Sequence, residues 1–210
     1  MKRKSLVLAV SCFSFVFASS YSSFGAIVVT DIDPVTVTGG DAVNFNLNSG
    51  VSGSLDSVDD ILISVIDFGA GGSLLTAVGL NSNTIAVESG SALFEAVQFQ
   101  AGNTIGASQT FGGSAGDSPP TNSRLATEGF GSTGPWSGGN TGYLGVNFDI
   151  SGAEHFGFVR ISWQPDAAVA VIDQVGFQDI AGADVTVVPE PSSILLLSLV
   201  GGGAILRRRR

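Results

Sequence analysis

The feature that most constrains the fold is strict alternation of apolar and polar side chains. Leu144, Val146, Phe148 and Ile150 alternate with Gly145, Asn147 and Asp149. Val43, Phe45 and Leu47 alternate with Asn44, Asn46 and Asn48. A period of two places each set on one face of a half-buried strand. The surrounding composition agrees. From residue 26 to residue 188 there is no lysine or methionine, and the only arginines are Arg124 and Arg160. Gly, Ser, Thr, Val and Asn dominate instead, a strand-and-turn vocabulary. Further strands are expected at 61–67, 74–80, 92–100, 105–111, 169–177 and 183–188. The stretch from His155 to Trp163 is apolar on both faces and is expected to be a central strand. Glycines 69, 71 and 72 predict a hairpin between 61–67 and 74–80. This spacing implies an antiparallel β-sandwich, jelly-roll or lectin-like.

The two ends are built differently. Lys2, Arg3 and Lys4 precede an apolar run from Leu6 to Ala18, and small residues follow. These are the parts of a Sec signal peptide, expected to be a helix over 1–25 with cleavage after Gly25 and Ser23 at the −3 position. Cys12 is the only cysteine and lies inside the apolar run. Ala9 stands where a lipobox prefers Leu, so acylation at Cys12 is disfavoured. The processed chain then has no cysteine for a disulfide, a thiolate metal site or a nucleophile. At the other end, Pro189, Glu190 and Pro191 precede an apolar run from Ser192 to Leu206, and Arg207, Arg208, Arg209 and Arg210 follow. Fifteen helical residues cover roughly 22 Å, less than a hydrocarbon core of about 30 Å. Arginine side chains can snorkel across that mismatch, and the positive-inside rule keeps them cytoplasmic. A C-terminal transmembrane helix within 189–210 is therefore expected, with the domain on the far side of the inner membrane.

Val188-Pro189-Glu190-Pro191-Ser192-Ser193, the apolar run and the terminal arginines resemble the PEP-CTERM sorting signal. Proteins with this signal occur in Gram-negative bacteria that make extracellular polysaccharide. The resemblance implies an exosortase partner, a membrane-embedded cysteine transpeptidase or protease. It also implies removal of the tail near Pro189, Glu190 and Pro191, transient residence in the inner membrane, and delivery to the cell surface or biofilm matrix. Residues 143–148 and 155–161 resemble an aromatic-rich strand common in such proteins. Phe156 and Phe158 stand where Tyr and Trp are usual there, and the likeness implies a shared sandwich rather than a shared activity.

Between the two addresses, 17 carboxylates face two guanidiniums, which leaves a formal charge of −15 on residues 26–188. Such a surface repels nucleic acid and anionic lipid. Candidate chemistry is sparse. His155 is the only histidine, which excludes a histidine metal cluster and makes any Ser-His-Asp triad depend on it. Its position at the head of a core strand predicts a structural role. Arg160 is expected to form a strand salt bridge, with an anionic-sugar contact as the sharper alternative. Glu95 falls on an apolar face, and a bulge, an exposed edge and a functional carboxylate are the three readings of it. Asp31, Asp33 and Asp41, and then Asp56, Asp59 and Asp60, are oxygen-rich clusters that would suit calcium. Residues 112–117 miss the GGxGxD calcium repeat. Gly129, Gly131 and Gly134 match GxGxxG, but Pro135-Trp136 follows where a helix should begin, so a dinucleotide site is rejected. Residues 101–142 form a long Gly/Ser-rich stretch in which Trp136 either pins the loop or stacks on a sugar.

No compact pair of carboxylates marks a glycosidase. Three functions remain in view. The first is a non-enzymatic surface or matrix component associated with exopolysaccharide. The second is a lectin-like carbohydrate-binding module, with calcium as its candidate cofactor. The third, least favoured, is a polysaccharide-active enzyme. No catalytic, metal or cofactor residue is assigned.

Overall fold

A computed structural model describes residues 25–47, 50–52, 60–89, 95–113, 123–129 and 132–188. The strands are β1 (Ile27–Thr38), β2 (Ala42–Asn46), β3 (Gly50–Ser52), β4 (Ile61–Asp67), β5 (Ser73–Gly79), β6 (Thr84–Ala86) and β7 (Gln98–Phe99). They continue as β8 (Thr104–Ile105), β9 (Phe111–Gly112), β10 (Ser123–Glu128), β11 (Thr141–Ile150), β12 (Ala153–Gln164), β13 (Val169–Gln178) and β14 (Val185–Thr186). All of the paired strands are antiparallel. The larger sheet runs β1-β13-β12-β11-β6-β9, with β7 also on β11, and the smaller runs β10-β5-β4-β2-β3.

The sandwich core lies between these sheets. Phe45, Ile61, Ile63, Leu75 and Leu125 from the smaller sheet meet Leu144, Val146, Phe148, Val159, Ile161 and Ile172 from the larger. The all-β sandwich read from the alternation is therefore the observed architecture. The larger sheet is also covered on its other face. Phe99, Ile105, Tyr143, Phe156, Phe158, Val185 and Val187 form a second apolar cluster there. This explains why β12 is apolar on both faces: it lies between β11 and β13 and has a core on each side.

The expected hairpin between β4 and β5 is present, with Ile61 opposite Gly79 and Asp67 opposite Ser73. A single 3-10 turn at Gly69–Gly71 links the two strands. β11 and β12 form a second hairpin through Ser151 and Gly152, whose φ values are 57° and 86°. Left-handed backbone at both turn residues matches the right-handed twist of the strands.

Several boundaries differ from the sequence reading. The strand expected at 105–111 is two short pieces, β8 and β9, which join different partners. That expected at 92–100 narrows to β7 plus isolated bridges at Glu95 and Ala96, with 91–94 outside the described residues. β1 escapes the period-two signal because Pro34 interrupts it and its register shifts between Asp31 and Val35. Proline cannot donate to a ladder, so it belongs at such a bulge on an edge strand. Within 101–142, β10 is equally hidden, because its register shifts between Arg124 and Ala126.

The signal helix expected over 1–25 and the transmembrane helix expected within 189–210 fall, apart from Gly25, on residues outside the described ones. Among the described residues, no helix is long and apolar enough to cross a membrane.

One glycine is fixed by close approach. Gly176 on β13 faces Phe158 on β12, and a Cβ there would sit 2.5 Å from the ring's Cζ. The ring covers the glycine and closes the second cluster. Gly176→Ala is expected to lower stability by about 1–3 kcal/mol through overpacking. Equilibrium urea unfolding checks this, and an unchanged midpoint would contradict it.

Candidate functional site

The sorting junction is where sequence and fold meet. β14 pairs with β8, with Val185 opposite Ile105 and Thr186 opposite Thr104. Beyond the strand the chain stays fastened. The Val187 N–H donates to the Asn103 carbonyl at 2.9 Å, and the Gly102 N–H donates to the Val187 carbonyl at 2.9 Å. Asn103 is itself fixed, because its Oδ1 accepts from the Gln100 N–H at 2.7 Å. Val185 and Val187 are fully buried, and Val188 packs half-buried on the same cluster. Pro189, Glu190 and Pro191 follow at once in sequence. They and Arg207, Arg208, Arg209 and Arg210 lie outside the described residues.

Both arginines of the domain have carboxylate partners. Arg124 pairs with Glu95 across a β-bridge. That accounts for the carboxylate on an apolar face: it is partly exposed, with a cation beside it. Arg160 reaches Asp173 Oδ2 at 3.1 Å, the salt bridge expected within the sheet. Both members of that pair keep about a quarter of their side-chain surface exposed, 26% and 24%. A double-mutant cycle on Arg160 and Asp173 is therefore expected to give a coupling of at most about 1 kcal/mol, and less in high salt. A coupling of several kcal/mol would mark the pair as more than a surface bridge.

His155 is buried, and its Nδ1 lies 2.8 Å from the Gln178 carbonyl oxygen. A carbonyl only accepts, so Nδ1 carries the proton. The ring sits against Phe148 and Phe177. This is the structural role its strand position implied. Trp136 is also buried. Its indole N–H donates to the Ile161 carbonyl at 3.2 Å, and its backbone N–H donates to the Leu125 carbonyl at 2.9 Å. It pins the loop between the sheets.

Two aspartates of the first cluster have separate partners. Asp31 accepts from the Gln174 amide at 3.1 Å, and Asp41 accepts from the Thr38 hydroxyl. Asp56 and Asp59 lie outside the described residues. Among the described residues, no three Asp, Glu, His or Cys side chains form a metal-holding group. Asp60 has a different task that sequence reasoning missed. Buried at the start of β4, it accepts the Leu47 N–H at 2.7 Å through Oδ2 and the Asn83 amide at 3.1 Å through Oδ1. Asn83 Oδ1 in turn accepts the Asp149 N–H at 3.2 Å. The three residues tie the smaller sheet to the end of β11.

One recess gathers carboxylates from separate segments. About 260 Å³ in volume, it is lined by Asp67, Ser73, Glu128 and Asp166 among others. A neighbouring recess of about 380 Å³ shares Pro165 and Asp166 and is lined by Gly138, Gly139 and Trp163. Backbone donors orient the acids. Asp67 Oδ1 accepts the Gly69 N–H at 2.7 Å. Glu128 accepts the Gly138 N–H at 2.8 Å and the Ser132 hydroxyl at 2.6 Å. Held carboxylates of this kind can accept hydrogen bonds from ligand hydroxyls. The sequence held no signal for the grouping, because Asp67 and Glu128 end β4 and β10 and Asp166 lies in the turn after β12.

These observations define an all-β sandwich whose last fastened strand is followed directly in sequence by Pro189, Glu190 and Pro191. Residues 187–210 match the family model of the PEP-CTERM protein-sorting motif. The chain carries that motif, which marks an exported, surface-directed protein processed by an exosortase. No curated protein and no solved structure matches the chain.

Proposed function

We propose that the mature domain is a non-enzymatic component of the cell surface or extracellular matrix, delivered by exosortase processing and acting by display and contact with extracellular polysaccharide. The observation that carries this reading is the fate of its reactive side chains. Histidine, both domain arginines and the buried Asp60 are committed to bonds that hold strands together. The charge of −15 on residues 26–188 supports the same reading, because it keeps the domain soluble and away from anionic membrane and nucleic acid. No cofactor is part of this proposal.

The test is a comparison of the native chain with Pro189→Ala/Glu190→Ala/Pro191→Ala in an exosortase-bearing host. The native surface form is expected to lack the arginines by intact mass. The variant is expected to keep them and to remain with the inner membrane. Incubation of the surface form with the host's exopolysaccharide is expected to show retention without turnover. Depolymerisation of the polymer would overturn the non-enzymatic reading.

A second reading rests on the acidic recess. Asp67, Glu128 and Asp166 make it a candidate pocket for the hydroxyls of a sugar, in the manner of a lectin. If so, Asp166→Asn abolishes binding on a glycan array while leaving the fold intact. A calcium-dependent rise in melting temperature would add the metal to that reading. Glycan binding unchanged in Asp166→Asn would remove the recess from it.

A further inference from the structure

We propose that the acidic recess binds an amino sugar through its free amine, held as an ammonium group. The proposal rests on the recess being a sugar pocket, the second reading above, and names the class of sugar. Strand register builds the site. Val65 and Ala126 both lie opposite Leu75, and all three belong to the core between the sheets. Two residues on, Asp67 and Glu128 both lie opposite Ser73. Directly opposed residues share a face, and so do residues two apart on one strand. Asp67, Ser73 and Glu128 therefore continue the core-facing row at the end of these strands. Apolar packing gives way there to the polar wall of the recess. Asp166 reaches the same recess from the 3-10 turn Pro165–Ala167. That turn is pressed by the loop before β11: a Cβ at Gly139 would sit 2.8 Å from the Pro165 Cδ.

Two orphaned polar groups mark the place as a site. Ser73 is 3% exposed, and its Oγ has no hydrogen-bond partner. Trp163 is 2% exposed, its indole N–H has no partner either, and it lines the neighbouring recess that shares Asp166. A buried polar group without a partner carries a desolvation cost that a ligand can relieve. Charge selects a cation. Three carboxylates line the recess, while the domain's two arginines pair with Glu95 and Asp173 elsewhere. Among the described residues, no three acids converge as a metal-holding group, so the negative charge is spread along the recess. An ammonium group brings three donors to acceptor-only carboxylates, in charge-assisted bonds. The indole N–H only donates, so it needs an acceptor, which an ammonium group is not and a sugar hydroxyl is. An amino sugar carries both groups on one ring. A lysine side chain carries only the first.

Calorimetric titration of the surface form with three β-1,4-linked dimers tests this: glucosamine dimer, its N-acetylated counterpart and cellobiose. The glucosamine dimer is expected to bind about tenfold or more tightly than either neutral dimer. Asp166→Asn is expected to weaken it by about tenfold. Ser73→Ala is expected to weaken it several-fold without lowering the melting temperature, because the hydroxyl has no internal partner to lose. A fall in melting temperature would give that hydroxyl an internal role and overturn its assignment to the ligand. Asp33→Asn makes the same change of charge on the exposed edge strand β1 and is expected to leave binding unaltered. An equal loss there would reduce the binding to diffuse attraction by an acidic surface and overturn the site. Equal binding of all three dimers, lost in Asp166→Asn, would overturn the amine preference and leave the sugar pocket standing. Binding of none of them would overturn both. Tighter binding of Nα-acetyl-lysine amide than of the glucosamine dimer would replace the sugar with a basic peptide.

Discussion

Trp136→Ala is expected to destabilise the mature domain by about 3–5 kcal/mol, which corresponds to a fall in melting temperature of roughly 10 °C. The side chain is 0% exposed, and it sits in the core shared by the two sheets. Truncation leaves a cavity the size of an indole, flanked by strands that cannot collapse into it. It also removes the donor to the Ile161 carbonyl on β12. Trp136→Phe separates the two effects. It keeps most of the volume and loses only the N–H, so a smaller loss of about 1–2 kcal/mol is expected. Equilibrium denaturation of all three proteins checks the order. A stable Trp136→Ala would mean that the loop does not pin the sheets. A variant that folds normally but loses polysaccharide binding would restore the sugar-stacking role instead.

Asp60→Ala is expected to cost roughly 2–4 kcal/mol. The carboxylate is 5% exposed and accepts two hydrogen bonds from groups on separate segments, Leu47 and Asn83. Its loss leaves a buried backbone N–H and a buried amide with those bonds unmade, and the penalty is set by their desolvation. Asn83→Ala is expected to be of similar size, because it breaks the same link and also frees the Asp149 N–H. The two substitutions should not add. A coupling of about 1–3 kcal/mol in the double-mutant cycle is the signature of one network. Strict additivity would show that the two residues act independently.

The fold was legible where alternation is unbroken. β4 begins and ends at the residues its apolar pattern indicates, and β11, β12 and β13 lie within a few residues of theirs. Each of these strands has at least one buried face, so the pattern is imposed by the core. β1 and β10 were not legible, because Pro34 and the register shifts break the alternation that identifies a strand. β8 and β9 were merged for a related reason. Two-residue strands are defined by their partners, and no partner can be read along seven residues of chain.

The candidate sites divide in the same way. Pro189, Glu190 and Pro191, the apolar run and Arg207, Arg208, Arg209 and Arg210 form one contiguous motif, matched at residues 187–210, so sequence alone reveals them. Residue order also settled the all-β class, because a period of two is a local property of the chain. Only the tertiary structure joined Asp60 to Asn83, drew Asp67, Glu128 and Asp166 to one recess, and buried Val185 and Val187 against β12's aromatic face. Those are contacts between residues tens of positions apart. Their geometry depends on how two sheets stack and which strands lie side by side, and that is decided by packing across the chain rather than by neighbours within it.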